Sequence, residues 1–503
     1  MEKNHITILI SLCFIAILAC TSALSFLSHN PEQLLVFDDS YITLKFAANF
    51  FKYNGITYDG NSYLTGATSP LHIVLVALAG LLFKLETASL FVSIVFFILS
   101  SLLVYLWTLQ IYNDRGIALL AGVLMSTSGW LVFDALNGLE TTTFIFFSLL
   151  TFYLFYVYER KFYYVIPLFL SILTRPEGWF VACAIWLWQV IQWIDQKDTR
   201  ILRHLLVSMS VLVLLVVPYF AFSLYCTSSL LPGTALCKGI FFAETYLPLT
   251  RKIVYFKHCL SLFYKTLLYP APLFILPFIL FSRKVISIPY LWFYGTIFYL
   301  LYFLLFPVAI KHYWCRYQHI FIPLMIIAIA GGAVELLKMC KRKTLTILMG
   351  LLVALSLIYN QSISFTKVGK IYSGEIESTK STLLDLAIWI KENTPEDSQI
   401  ALHDIGVIGY FSGRNIIDLV GLVNPEVSRY YWDEQTNKPL AIEEREVINY
   451  LKEKKPDYLV MFPEWDRYFN FFQSGNEKCF KLIHTSNLLF PTQLRYHVYK
   501  FNW

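Results

Sequence analysis

"FDDSYITLKFAANFFKYNGITYDGNSYLTGATSPLH" occupies Phe37 to His72. It opens on two adjacent carboxylates, Asp38 and Asp39, just after the first long apolar run, residues 6–28. Behind them "YITLKFAANFFKY" sets Ile42, Phe46, Asn49 and Phe50 near one face of an interfacial helix. Asp and Ser are good N-caps, and acids suit the positive end of a helix dipole. On spacing alone the pair reads equally well as a helix cap or as a catalytic group. Position tips the balance: these acids stand at a membrane–water boundary in a chain poor in acids.

The chain has 503 residues, 57% hydrophobic, 17% aromatic and only 15% charged. Mean hydropathy is +0.57. That balance belongs to a polytopic membrane protein and excludes an ordinary soluble domain. After residue 360 there are 16 basic and 19 acidic residues; before it there are 24 and 15. A basic membrane half beside a mildly acidic tail implies two compartments, and no basic stripe with interleaved aromatics points to nucleic acid. Nine cysteines are scattered without CxxC or zinc spacing. Cys226 and Cys237 share one loop and read as two free thiols; Cys479 is alone in the tail.

Apolar runs fall near 6–28, 70–83, 88–112, 116–134, 142–158, 162–174, 178–194, 205–225, 263–281, 286–309, 317–337 and 344–360. The first is too long for a cleaved signal and reads as a signal anchor. Basic stretches at 160–161, 195–203, 282–284 and 338–343 mark cytoplasmic turns. Lys3 sets the N-terminus inside. Asp38, Asp39, the loops 226–256 and 311–316 and everything after 361 then lie outside. The parity of crossings requires one of the runs 70–83, 88–112 and 116–134 not to span. The shortest, 70–83, starts at Pro70 and is expected to be re-entrant or interfacial, leaving about eleven spanning helices.

Residues 361–503 read as a small α/β domain. "TLLDLAIWIKENTP" has helical spacing, "SQIALHD" and "PDYLVMFP" read as buried strands, and "AIEEREVINYLKEKK" as an amphipathic helix.

More polar groups recur on the outer face. "NGLETT" carries Glu140, "TRPEGW" Arg175 and Glu177, "LLPGTALCKG" Lys238, and "KHYWCRYQH" Lys311, His312, Arg316 and His319. Each has a plain structural reading: Arg175 and Glu177 as an ion pair, Lys311 as a snorkelling anchor, "KHYWCRY" as an interfacial belt. Their convergence on one side suits an anionic, lipid-linked phosphate substrate and a carboxylate acting on a hydroxyl.

The ordered series of these motifs resembles the GT-C glycosyltransferases, specifically the subgroup similar to the terminal arabinofuranosyltransferases of actinobacterial cell walls. "FDDSYI" stands where that subgroup has Asp-Asp-(Ala/Tyr)-Ile, and "LTGATSPLH" where it has Gly-Tyr-Thr-Ser-Pro-Leu-Trp. "NGLETT" resembles its Gly-Met-Glu-Thr, "LTRPEG" its Arg-Pro-Glu-Gly, "LPGTALCKG" its Pro-Asn-Thr-x-x-x-Lys, and "CRYQHIFIP" its Arg-Tyr motif. The tail stretch "IKENTPEDSQIALHDIGVIGYFSGRNIIDLVGL" resembles the outer domain of many such enzymes. Departures are Lys45-Phe46 for Arg-Tyr, Ala67 for Tyr, His72 for Trp and Gly233 for Asn.

The resemblance implies a GT-C-like polytopic α-helical membrane domain over 1–360, with a first outer loop at 30–69, and an extracytoplasmic α/β domain over 361–503. It implies a multi-pass enzyme of a bacterial inner membrane, with its active site on the periplasmic side. A sugar would pass with inversion from a polyprenyl-phosphate donor to a hydroxyl of an envelope glycan or glycolipid. Asp38 would be the base, beside Asp39 as a second catalytic carboxylate. Glu140, Arg175, Glu177, Lys238, His312 and Arg316 would bind substrate, with the cations on phosphate. Asp39 and Glu140 would orient the acceptor or hold a divalent cation, Mg, Mn or Ca; no cofactor is fixed by the motifs. Two rivals remain on the sequence alone: a lipid-linked glycan flippase or transporter, and a non-catalytic envelope assembly protein.

Overall fold

The structure is a computed structural model. It describes every residue except 1, 160, 230–232, 268–278, 281, 341, 434, 473–475, 489–493 and 503; for 2–4, 236, 238 and 263–267 only the backbone is described. Most of the 263–281 run therefore lies outside the described residues, as do Arg160 and Lys341 of two basic turns.

Among the described residues, five helices are long and apolar enough to cross a membrane: His5–Leu27, Leu85–Tyr112, Thr199–Thr227, Phe321–Lys338 and the stretch Lys343–Asn393. Arg115–Ser126 and Gly129–Leu136, bent by 51°, qualify together as a broken span or a re-entrant loop. Four shorter apolar helices accompany them: Pro70–Ala79, Thr141–Val157, Phe162–Thr174 and Pro289–Leu305. Pro70–Ala79 has ten residues, roughly 15 Å of helix, about half the hydrocarbon thickness.

Some polar residues inside these helices bond back to their own turn. Thr108 Oγ1 donates to the Val104 carbonyl at 2.7 Å, and Ser101 Oγ to that of Phe97 at 3.0 Å. Asp114 caps Arg115–Ser126, accepting from Gly116 N at 2.9 Å and Ile117 N at 3.2 Å.

The chain divides into two compact units. The first comprises residues 1–31, 90–219 and 249–372; the second comprises 32–89, 220–248 and 373–503. In the second, a mixed sheet has strand order β2-β1-β5-β7-β6, with β1 Gln399–Leu402, β2 Asn415–Asp418, β5 Tyr458–Met461, β6 Phe480–Thr485 and β7 His497–Phe501. A short ribbon, β3 Trp432–Asp433 with β4 Lys438–Pro439, stands apart. β1 pairs in parallel with β2 and β5, and β7 antiparallel with β5 and β6. All four residues of β5 are buried, which explains its continuous apolar run. Val447–Lys454 is the expected amphipathic helix, placing Val447, Ile448 and Leu451 in the core.

The second unit also recruits the loops outside the tail. Residues 226–256 are read from sequence as a loop, but Gly233–Ile240 is a helix whose Cys237 enters the same core as Phe241, Val427 and Leu459. Gly66 has φ +82°, and a Cβ there would meet the Leu422 carbonyl at 2.8 Å. Thr68 and Thr234 hydroxyls bond at 2.9 Å.

Candidate active site

The helix of the opening motif runs Asp38–Lys52. It is more buried than an interfacial helix: Ser40, Tyr41, Thr43, Leu44, Phe46, Ala47 and Asn49 are all covered. Its N-cap is Phe37, which makes no side-chain capping bond. Asp38 instead caps a different helix. Its Oδ2 accepts from Gly406 N at 2.8 Å and its Oδ1 from Val407 N at 2.7 Å, at the start of Val407–Phe411. Seven residues on, and so on the same face, Lys45 Nζ donates to the Gly409 carbonyl at 3.1 Å. Between them Tyr41 packs its ring 5.7 Å from Tyr410 and 5.3 Å from Phe411.

The surrounding loop is equally tied. Asn49 Nδ2 donates to the carbonyls of Thr57 and Tyr58, and Tyr58 OH donates to the Ile405 carbonyl at 2.6 Å. Asp404 receives the Tyr496 hydroxyl and lies 3.1 Å from His403 Nδ1. His403 stacks on Trp465 with ring centres 4.0 Å apart. Burial pushes the Asp38 carboxyl well above the usual carboxylate range; the charges of Asp404 and Asp39 push the same way, against the two N–H bonds. Each Asp38 oxygen accepts one backbone N–H, which leaves each with further acceptor capacity. Asp39 is half-buried beside it. Lys238 belongs to the Gly233–Ile240 helix of this unit, and its side chain lies outside the described residues.

A second polar cluster sits in the first unit and unites Glu140, Arg175, Glu177 and Arg316, each 5–6% exposed. Arg175 Nη2 and Nε donate to the two oxygens of Glu177 at 2.7 and 3.2 Å, and Nη1 pairs with Glu140 Oε1. Arg316 Nη1 is 3.8 Å from the same Glu140 oxygen. The Tyr317 ring serves both guanidiniums, at 4.5 Å from Arg175 and 5.1 Å from Arg316. Tyr302 OH donates to Glu177 Oε1. The ion-pair reading of Arg175 and Glu177 is thus realised: Arg175's fork is filled by two carboxylates. His312 is exposed, its ring against Tyr313 at 3.8 Å.

Arg316 follows Tyr313, Trp314 and Cys315, which have φ of 45°, 60° and 65°. Three consecutive non-glycine residues in the left-handed region cost about 1–2 kcal/mol each. The turn is held by His319, whose Nε2 is 3.1 Å from the Trp314 carbonyl and whose Nδ1 is 2.7 Å from Asp134 Oδ2. Asp134, Tyr302 and Asp404 escaped the sequence reading. The signal for Asp134 was an acid within an apolar run, a costly placement that asks for a partner. Among the described residues, no group of three or more His, Cys, Asp or Glu is arranged to hold a metal. Asp39 and Glu140 belong to different compact units.

The helical body with its small sheet domain has a fold found in several solved membrane-protein structures. The particular structures that share it include ArnT of Cupriavidus metallidurans, with TM-score 0.59, 13% identity and 97% of both chains covered. The same ArnT bound to undecaprenyl phosphate matches with TM-score 0.59 and 11% identity over 97% of both chains. The oligosaccharyltransferase AglB of Archaeoglobus fulgidus, in complex with an inhibitory peptide and a dolichol-phosphate, matches with TM-score 0.55 and 14% identity, covering 99% of this chain and 74% of that one. A family described as a domain of unknown function, DUF8728, matches residues 370–499. No curated protein matches the sequence.

Proposed function

We propose that this chain is a membrane glycosyltransferase that takes a sugar from a polyprenyl-phosphate carrier and delivers it to a hydroxyl of an envelope glycan or glycolipid. The observation that carries the donor class is the fold it shares with structures solved with undecaprenyl phosphate and dolichol-phosphate. The reaction takes place on the outer face of a bacterial inner membrane, as the basic turns of the sequence suggest.

Asp38 accepts the proton of the acceptor hydroxyl as that oxygen attacks the anomeric carbon. The bond to phosphate breaks on the opposite side, so the anomeric centre inverts and polyprenyl phosphate leaves. The raised basicity of Asp38 supports this role, because a base works best with a pKa near the working pH. The two N–H bonds orient the carboxylate. Arg316 meets the donor phosphate, and Arg175 with Glu140 and Glu177 buttresses it.

The test is transfer in detergent from a polyprenyl-phosphate sugar to an envelope glycolipid, with no gradient and no second compartment. Product formation that is lost in Asp38→Asn is the expected result. Failure to transfer from any polyprenyl-phosphate donor, combined with movement of the lipid between leaflets in vesicles, would establish a transporter instead.

A further inference from the structure

Two cysteines meet under the strained turn that precedes Arg316. Cys315 is its last left-handed residue, with φ 65°. Cys259 stands on the helix Leu249–Leu267, and the two thiols share a side-chain hydrogen bond. Cys259 is 0% exposed and Cys315 1%. The surroundings are fixed by Gln318, itself fully buried. Its Nε2 donates to Cys259 Sγ at 3.0 Å and to the Ile310 carbonyl at 3.3 Å, while its Oε1 accepts from Tyr299 OH at 2.9 Å.

We propose that Cys259 and Cys315 form a cross-link site, closed to a disulfide by a disulfide-bearing oxidant on the outer face. The proposal rests on the outward orientation given under the proposed function, since disulfides persist in oxidising compartments. Two features single out this pair. The two thiols are hydrogen-bonded to each other, and Gln318, three residues after Cys315, bonds Cys259 Sγ at 3.0 Å, so the turn and the helix meet at this pair. The backbone at Cys315 is also held in a conformation that an L-residue rarely adopts, which a covalent staple to a helix would fix.

The chemistry balances. Cys259 is the attacking sulfur, because its Sγ accepts both the Gln318 amide and the Cys315 thiol, which favours its thiolate. It attacks one sulfur of the oxidant's disulfide and expels the other as a thiolate, before the surrounding side chains close over the pair. Cys315 then attacks the mixed disulfide at Cys259 and releases the second oxidant sulfur. Two S–H bonds are lost and one S–S bond is formed in the protein. The oxidant's S–S bond is reduced to two thiols, which take both protons. Once shut, the bond is shielded from reductants by its burial.

The experiment starts from the full-length chain in its native host. Cells are quenched with N-ethylmaleimide in denaturant, and the protein is digested without reduction. The expected result is a linked peptide joining Cys259 to Cys315 that disappears with dithiothreitol, with both cysteines protected from alkylation until then. Cys315→Ser should expose Cys259 to the reagent; if that variant does not fold, the wild-type peptide map decides alone. Alkylation of both cysteines before reduction overturns the proposal. A second arm treats the purified protein with oxidised glutathione, and a third labels Lys481→Cys in intact cells with an impermeant thiol reagent. A pair that stays open in both settings overturns the geometry. A pair open in cells, closed by glutathione, with Lys481→Cys unlabelled until lysis, overturns it through the orientation. Sugar transfer is read separately, so failure of the enzymatic reading is visible on its own.

Discussion

The backbone N–H of Gly406 donates to Asp38 Oδ2 at 2.8 Å, across 368 positions of sequence. A Cβ on residue 406 would stand 1.9 Å from the Asp38 carbonyl oxygen, and that oxygen is backbone that cannot swing away. Gly406→Ala is therefore expected to push the Val407–Phe411 helix off the Asp38 helix. Thermal unfolding should shift down by several degrees, as roughly 1–3 kcal/mol of steric misfit implies. Transfer should fall with it. Gly350→Ala, where a Cβ meets nothing within 4 Å, is the control and should change neither. An unaltered melting curve for Gly406→Ala would mean that the contact is not made in solution.

Substitution separates the anchoring contact of Asp38 from the base role proposed for it. Asp38→Asn keeps the shape and one acceptor oxygen but turns an N–H donor toward the Gly406–Val407 backbone. The structural cost should be about 1–3 kcal/mol, the scale of one unsatisfied buried group. The loss in transfer should be roughly 10²-fold or more, the scale for removing a general base. Both are read on the same purified protein, one by calorimetry and one by product formation. A folded Asp38→Asn with near-normal transfer leaves only the anchor, and loss confined to Asp39→Asn moves the base by one residue.

The acid dependence follows from the same group. Asp38's carboxyl is raised by burial first and then by Asp404 and Asp39. A base acts when deprotonated, so kcat/KM should climb with pH through a value above the ordinary carboxylate range. Asp404→Asn removes one of the raising charges and should move that climb to lower pH. The stability sign is opposite in sense. A carboxyl with a raised folded pKa favours folding fully below its unfolded pKa, and the contribution disappears as pH rises through the folded value. Unfolding free energy should therefore drop over that window, and drop less in Asp404→Asn. A profile unmoved by Asp404→Asn would show that the titration belongs to another group.

Much of this was legible in the chain because apolar length and turn chemistry are local. The strands β1 and β5 and the helix Val447–Lys454 follow directly from "SQIALHD", "PDYLVMFP" and "AIEEREVINYLKEKK". The capping reading of the aspartate pair applied to their own helix and was not realised there: Asp38 instead accepts from Gly406 N and Val407 N. That partner was not legible, because Gly406 is remote and nothing local encodes which helix start an acid will meet. The helix at Gly233–Ile240 was hidden for a similar reason: Pro232-Gly233 signals a turn, whereas the helix after it is covered by the distant core that receives Cys237. The pairing of Arg175 with Glu177 was visible at a separation of two residues; the addition of Glu140, Tyr302 and Tyr317 depends on how helices pack.

The cluster around Arg175 predicts a stability effect larger than most. Arg175→Gln leaves Glu177 buried without its cation and Glu140 with Arg316 at 3.8 Å, and an unpaired buried charge costs about 3–5 kcal/mol. Arg175→Lys keeps the charge but cannot reach both carboxylates with one planar fork, so it should recover only part. Adding Glu177→Gln to Arg175→Gln should restore stability relative to the single change, because one orphaned charge goes. Thermal unfolding of the three proteins checks the order. Strictly additive losses would mean that the two side chains do not interact.

The final expectation concerns which cation meets the donor. Arg175 has its donors committed to Glu177 and Glu140, while Arg316 lies 3.8 Å from Glu140 and is presented by the left-handed turn of Tyr313 to Cys315. Holding that turn has a cost, and strain of this kind is kept where it positions a working group. Arg316→Gln should raise the donor KM, and lower kcat as well if the guanidinium also stabilises the charge that builds on the departing phosphate. The expected loss in kcat/KM is about 1.5–3 kcal/mol, the range for a hydrogen bond to a charged group. Arg316→Lys should regain some of it through charge without the fork. Lys238→Gln, tested with the same polyprenyl-phosphate sugar, should raise donor KM if the helix Gly233–Ile240 brings that ammonium to the phosphate. It should change nothing in detergent if Lys238 only neutralises anionic lipid. Donor kinetics left intact by Arg316→Gln would place the phosphate elsewhere and leave the strained turn without the purpose assigned to it.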